Sequence, residues 1–230
     1  MPETKVLLDW DKTGERFYET GVRHGVLYPY NSESKAYDSA VVWNGLTGVS
    51  ISPEGAEANE VYADDIQYLN LYSAEKLNFT IEALQSPKEF DQCDGADTIA
   101  TGVSIRQQSR KMFGFSFETR LGNDVDGDDH GYKIHLLYGC KASPSEQSYE
   151  TINDSPEPIT GSWECSTTPV AVTGKKATAE VIIDSTICTE TKLNAIRNIL
   201  YGTPATTEGG AAVPGRLPLP DEIATIMAAG

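Results

Sequence analysis

The chain has 230 residues and a mass of 25.0 kDa, with 39% hydrophobic and 23% charged residues, enough to bury a sizeable core as one large domain or two small ones. Its 18 Lys and Arg stand against 34 Asp and Glu, a net charge of −16, which makes the chain a poor candidate for gripping a phosphate backbone through clustered cations. The longest apolar runs, such as Val181-Ile182-Ile183, fall far short of the roughly 20 residues of a membrane helix, so no membrane contact is expected. The first ten residues lack the basic start and apolar stretch of a secretory leader, which points to a cytosol-like compartment.

Period-two alternation dominates the chain in order. Strands are expected at 22–28 and 41–49, and 63–69 reads equally as a helical turn or a strand. Leu77, Phe79, Ile81 and Ala83 alternate cleanly, and a short helical turn starts at Pro87 with Gly95 behind it. A further strand is expected at 103–107. Over 112–139, Phe113, Phe115, Phe117, Thr119 and Leu121 are followed by ten residues that are nearly all turn formers. Tyr132, Ile134, Leu136 and Tyr138 then alternate again, which makes a long β-hairpin. Strands at 163–172 and 177–183 precede one main helix at 189–201, capped by Thr189, striped by Leu193, Ile196, Ile199 and Leu200, and ended by Gly202 and Pro204. Residues 203–215 read as a Pro/Gly-rich linker, and 216–230 as an arm whose anchors are Leu217, Leu219, Ile223 and Ile226. Many short strands between turns, with one helix, define a mainly β, antiparallel sandwich or barrel.

Chemistry is sparse. Cys93, Cys140, Cys165 and Cys188 form no Cys-x-x-Cys pair, so they read as reduced thiols, several of them buried. His24, His130 and His135 fit no metal-ligand spacing. Asp124, Asp126, Gly127, Asp128 and Asp129 imitate half of a calcium loop. The twelfth position, counted from Asp124, is His135, which cannot serve as the bidentate ligand. Neither a nucleophile elbow nor a phosphate loop is present. No catalytic role, cofactor or metal is expected. Three tyrosines, Tyr62, Tyr68 and Tyr72, cluster within eleven residues and read as interface.

Seven segments in order resemble the major tail protein, or tail tube protein, of long-tailed siphophages that infect Gram-positive bacteria: 8–22 (LDWDKTGERFYETGV), 42–49 (VWNGLTGV), 62–71 (YADDIQYLNL), 87–95 (PKEFDQCDG), 131–139 (GYKIHLLYG), 145–156 (SEQSYETINDSP) and 216–223 (RLPLPDEI). The resemblance implies a β-sandwich or half-barrel subunit over 1–202 with a flanking helix, residues 1–20 serving as an N-terminal arm and 203–230 as linker and arm. Six subunits then close into a ring, and rings stack around a channel through which DNA passes without specific binding. The implied partners are copies of the chain itself, a tape-measure protein, a tail terminator and a distal tail protein. The implied location is the virion, after synthesis in the bacterial host cytoplasm.

On that reading the loop carrying Asn123, Asp124, Asp126, Gly127, Asp128 and Asp129 is an inter-subunit hairpin tip. Glu82, Glu118 and Glu180, on polar strand faces, are lumen-facing acids, and the C-terminal anchors dock on their own subunit or on a neighbour. The alternative is a monomeric acidic β-sandwich that binds carbohydrate or a cell-surface ligand. The two differ in whether the pure protein polymerises.

Overall fold

The structure, a computed structural model, describes residues 8–37, 39–149, 151, 152, 154, 158–205 and 211–228. In chain order the elements begin with β1 (Phe17–Asn31), β2 (Ala36–Tyr37), β3 (Val41–Trp43), β4 (Leu46–Glu54), β5 (Ala58–Ala63), β6 (Ile66–Tyr72) and β7 (Lys76–Ala83). There follow α1 (Asp91–Asp94), β8 (Asp97–Ala100), β9 (Val103–Ile105), β10 (Phe113–Asn123), β11 (Gly127–Ala142), β12 (Gly161–Ser166) and β13 (Glu180–Asp184). The chain closes with α2 (Glu190–Tyr201), β14 (Gly202–Thr203), β15 (Val213–Pro214) and α3 (Pro220–Ala228). The fold is mainly β, as the alternation predicts.

One nine-stranded sheet runs β2-β1-β10-β11-β12-β7-β4, with β13 added to β11 and β3 to β1. All its pairings are antiparallel. The sheet folds over on itself where β11 changes partners. Residues 133–137 pair with β13, whereas Lys141 and Ala142 pair with β12. Gly139 makes that bend with φ +59°, and any side chain there would strike the backbone carbonyl of Thr168. The folded sheet encloses an aromatic core. Trp43 meets Phe90 at 4.6 Å, Trp163 at 5.5 Å and Phe115 at 5.6 Å between ring centroids, with Leu27, Phe79, Ile81 and Phe113 around them.

A second core lies on the opposite face of β1, β10 and β11. Val26, Tyr28, Ile134, Leu136, Tyr138 and Ile183 are covered there by Leu193, Ile196 and Leu200 of α2, by Leu217 and by Ile223 of α3. The central strands are therefore buried on both sides. Beneath the helices β10 supplies the small residues Gly114 and Ser116. A Cβ at Gly114 would collide with Leu217, while Ser116 Oγ lies 3.1 Å from the Tyr28 hydroxyl.

The C-terminal segment departs from the expected linker and arm. β14 pairs with β15, the Leu217 amide donates to the Tyr37 carbonyl at 3.2 Å, and the Tyr138 hydroxyl donates to the Pro218 carbonyl at 2.9 Å. Lys192 donates to the carbonyl of Met227 at the end of α3 at 2.7 Å. The arm docks on its own chain, with Leu217 and Ile223 buried, Ile226 packed at the edge of the second core and Leu219 half exposed. Of the expected linker, residues 206–210 lie outside the described residues. At the other end, residues 17–20 of the expected N-terminal arm are already part of β1, and residues 1–7 lie outside the described residues.

Candidate assembly surfaces

The ten-residue loop predicted between the long strands is a three-residue turn. β10 runs to Asn123 and β11 begins at Gly127, whose φ of +59° fits a left-handed position next to a tight turn. The Asn123 side-chain carbonyl accepts from the Val125 amide at 3.0 Å and the Asp126 amide at 2.5 Å, which closes the turn and lets Asp128 and Asp129 continue into the strand. Most of the tip's acids are engaged within the chain. Asp124 accepts from the amides of Gly14 and Arg16, Asp128 accepts from the Tyr18 hydroxyl at 2.9 Å, and Asp126 lies 3.2 Å from His130 Nδ1. The tip fastens the chain's own N-terminal segment.

The three acids expected to face a lumen part company. Glu118 is fully buried, because α2 lies over the face of β10 that alternation marks as polar. Its carboxylate is shared by His24 Nδ1 at 2.8 Å, Arg23 Nε at 3.4 Å and Arg197 Nη2 at 3.4 Å, and it accepts from the Tyr201 hydroxyl at 3.0 Å. Burial, and then the Glu118 charge, hold the Tyr201 phenol well above its ordinary range. Glu180 is largely covered and lies 2.9 Å from His135 Nδ1, whose ring stacks on Phe117 at 4.6 Å. Glu118 therefore presents nothing to a channel, and Glu180 only a small part of its side chain. Glu82 alone is exposed, on the face of β7 turned away from the core. Its neighbour in that face is Glu164, which is also exposed and which strand patterning did not single out.

Six exposed large apolar residues, Tyr62, Ile66, Tyr68, Leu69, Leu71 and Tyr72, fall together on β5 and β6, where 63–69 reads equally as a helical turn or a strand. β5 and β6 form a two-stranded ribbon whose turn is Asp64-Asp65, both with positive φ (50° and 63°), the geometry of a type I′ hairpin. Strand register sorts its side chains into two faces. Asn59 and Leu71, Val61 and Leu69, and Ala63 and Ile66 are cross-strand pairs on one face. Glu60, Tyr62, Asn70 and Tyr72 lie on the other, where the Tyr62 hydroxyl donates to Glu60 at 2.7 Å and Asn70 Nδ2 donates to the Tyr72 hydroxyl at 3.3 Å. Ile66 is 61% exposed, Leu71 52% and Leu69 48%, so no other described residue covers the apolar face. Tyr62, Tyr68 and Tyr72, the tyrosines read as interface, are all exposed on this ribbon, which the alternation does not reveal.

A fourth feature lies between α2 and the ends of β1, β10 and β11. Arg23, Arg120 and Arg197, with His130 and Tyr132, line a groove of about 480 Å³, whose acidic lining residues are Asp128, Asp129 and Glu190. The Arg197 guanidinium stacks 4.4 Å above the Tyr132 ring.

Cys93, Cys140, Cys165 and Cys188 are all free, and burial pushes the Cys93 thiol up to about 12. No group of three or more metal-ligating side chains converges among the described residues, and no described helix is long and apolar enough to cross a membrane. A search of protein-family models returned no match to the chain, and a search of curated proteins returned none either. The likeness to tail tube proteins stands on the seven segments alone, and no site residue comes from a relative.

Proposed function

We propose that the chain is the structural subunit of a phage tail tube, closing into hexameric rings that stack around a channel for DNA. The observation that carries this reading is the β5–β6 ribbon. A two-stranded ribbon is marginal by itself in water, and one with an apolar face in solvent is costlier still. Burying that face against another copy removes both penalties, at roughly 25 cal/mol for each Å² covered. The nine-residue strand β4 adds a second argument, because among the described residues it pairs only with β7 and leaves its other edge open to a neighbouring strand. Ring closure consumes such edges, while ring-on-ring contacts are head-to-tail and open-ended, which produces a filament.

The role is structural rather than catalytic. By the resemblance, a tape-measure protein, a terminator and a distal tail protein complete the tail in the virion. Negative-stain electron microscopy of the purified chain tests this, beside a variant in which residues 57–73 are replaced by Asn-Gly. The expected result is rings or tubes from the natural chain and a folded monomer from the variant, since the ribbon contributes no residue to either core. A natural chain that stays monomeric at high concentration overturns the reading and favours a binding module.

A further inference from the structure

We propose that Asn44, in the corner between β3 and β4, is a site of spontaneous covalent modification. The chain's own backbone converts its side-chain amide to a carboxylate and, in part of the molecules, reroutes the main chain through that side chain. The chemistry is the same whether or not the chain forms a tube.

Asn44 is followed by Gly45, the one Asn-Gly step in the sequence. The backbone nitrogen of Gly45 attacks Cγ of Asn44 and closes a five-membered succinimide. The new N–Cγ bond replaces the Cγ–Nδ2 bond, and Nδ2 leaves as ammonia with the proton shed by the Gly45 nitrogen. Water then opens the ring. Cleavage of the N–Cγ bond gives aspartate, whereas cleavage of the original peptide C–N bond leaves the chain running through Cγ as isoaspartate. Either product carries one more negative charge, and water is the only co-reactant. Glycine favours the attack because its missing Cβ leaves the nitrogen open to approach.

The structure leaves both reacting groups free. Asn44 and Gly45 are exposed and lie between the ladders, since β3 ends at Trp43 and β4 begins at Leu46. Among the described residues the Asn44 side chain makes no hydrogen bond, and the Gly45 N–H finds no acceptor. Other asparagines are held. Asn31 accepts from the Glu33 and Ser34 amides, and Asn123 from those of Val125 and Asp126. Asn59, Asn70 and Asn78 stand within strands and Asn194 and Asn198 within α2, each followed by a residue with a side chain.

The corner is also a place where a longer backbone matters. It carries the chain from β3, paired with β1, to β4, paired with β7. The end of β7 fastens it twice: Trp43 Nε1 donates to the Gln85 carbonyl at 2.9 Å, and the Leu84 amide donates to the Gly45 carbonyl at 2.9 Å. Trp43 is buried in the aromatic core, and the Leu46 side chain sits so close to Gly25 that a Cβ there would collide with it. Isoaspartate adds one atom to the main chain between these two packed residues, so one of them must give way. Aspartate adds only charge at an exposed position.

Incubation of the full-length chain near pH 7 and near pH 9, folded in buffer and unfolded in guanidinium chloride, tests the site beside Asn44→Gln, whose longer side chain does not close the five-membered ring. Peptide mapping by mass spectrometry follows each amide, and enzymatic methylation of isoaspartyl groups follows the rerouted product. The expected result is loss of the Asn44 amide in the folded chain within about tenfold of the unfolded rate. It should run at least about tenfold faster than loss at the asparagines held in strands, helix or turns, and faster at the higher pH, where more of the attacking nitrogen is deprotonated. Isoaspartyl methylation should drop in Asn44→Gln. A folded rate more than about tenfold below the unfolded one, a held asparagine reacting first, or methylation undiminished in Asn44→Gln overturns the site. Thermal unfolding of the separated products tests the corner. The isoaspartate form should melt at a lower temperature than the natural chain, and Asn44→Asp at the same temperature as the natural chain. An isoaspartate form that melts unchanged overturns the tightness of the corner.

Discussion

Glu118 occupies a position that strand alternation assigns to solvent, yet its carboxylate is wholly enclosed by side chains from β1, β10 and α2. Two arginines compensate it, His24 Nδ1 is hydrogen-bonded to it, and the Tyr201 hydroxyl uses it as an acceptor. Such a cluster is costly to assemble and far more costly to break, since removing one charge strands the rest. Glu118→Ala should lower stability by about 3 kcal/mol, near the bottom of the range for a broken buried pair because both arginines keep a third of their side-chain surface in water. Glu118→Gln keeps an acceptor for Tyr201 and should cost less. Urea unfolding of the monomer measures both, and equal, small losses would mean that the cluster is solvated. None of this was legible locally. The pattern Phe-x-Phe-x-Phe fixes which face of β10 enters the aromatic core, but a helix some 75 residues later decides what covers the other face.

At the scale of elements, legibility followed the length and regularity of the pattern. α2 could be read because an apolar stripe, a threonine at the N-cap position and a terminal glycine agree within one segment, and the structure places it at Glu190–Tyr201, with no capping hydrogen bond from the Thr189 side chain. The β5–β6 ribbon could not, because its type I′ turn is made from two aspartates rather than Asn-Gly, and a register shift beside Tyr62 breaks the period of two. α3 does not show in the pattern because Pro218 precedes it, Pro220 opens it, and nine residues are too few to hold a helix in water without docking. That docking carries a pH dependence. The Asp221 carboxylate accepts from the Thr173 amide and hydroxyl, which lowers its pKa. Arg216 grips Glu222 with two hydrogen bonds of 2.8 and 2.5 Å and lowers that one too. A carboxyl whose folded pKa is depressed stabilises the fold above its unfolded value, and the contribution drains away as pH falls through the folded value. The ordinary values here are 3.8 and 4.5, so α3 should loosen below about pH 4 while the sheet persists. Amide resonances of 220–228 followed from pH 6 to pH 3 should lose dispersion before those of β10 and β11. Simultaneous loss of both would assign the acid response to the whole fold instead.

For the whole molecule, the −16 charge matters through where it sits. The face of β4, β7 and β12 turned away from the aromatic core is built in cross-strand rows: Gly48, Glu82 and Ser162; then Ser50, Thr80 and Glu164; then Ser52, Asn78 and Ser166. Every side chain in these rows is small or acidic, and the nearest cations, Lys76 and Lys141, stand at the border. Such a face gives a passing duplex nothing to hold. DNA carries one charge per ~1.7 Å of axis, so a basic wall would bind it at many phosphates at once, whereas an acidic wall repels it from all sides over a screening length of ~8–10 Å. If this face lines the channel of an assembled tube, converting its two acids should change how DNA is treated and leave assembly intact, because Glu82 and Glu164 are exposed and carry neither core nor ribbon. Glu82→Lys with Glu164→Lys should therefore yield tubes of natural appearance that retain linear DNA in a gel-shift or co-sedimentation assay. The retention should weaken steeply between 50 and 200 mM salt, as counterion release requires, whereas natural tubes retain none. Lysine tubes that ignore DNA would place this face outside the channel, and the acids would then serve to keep neighbouring tubes apart.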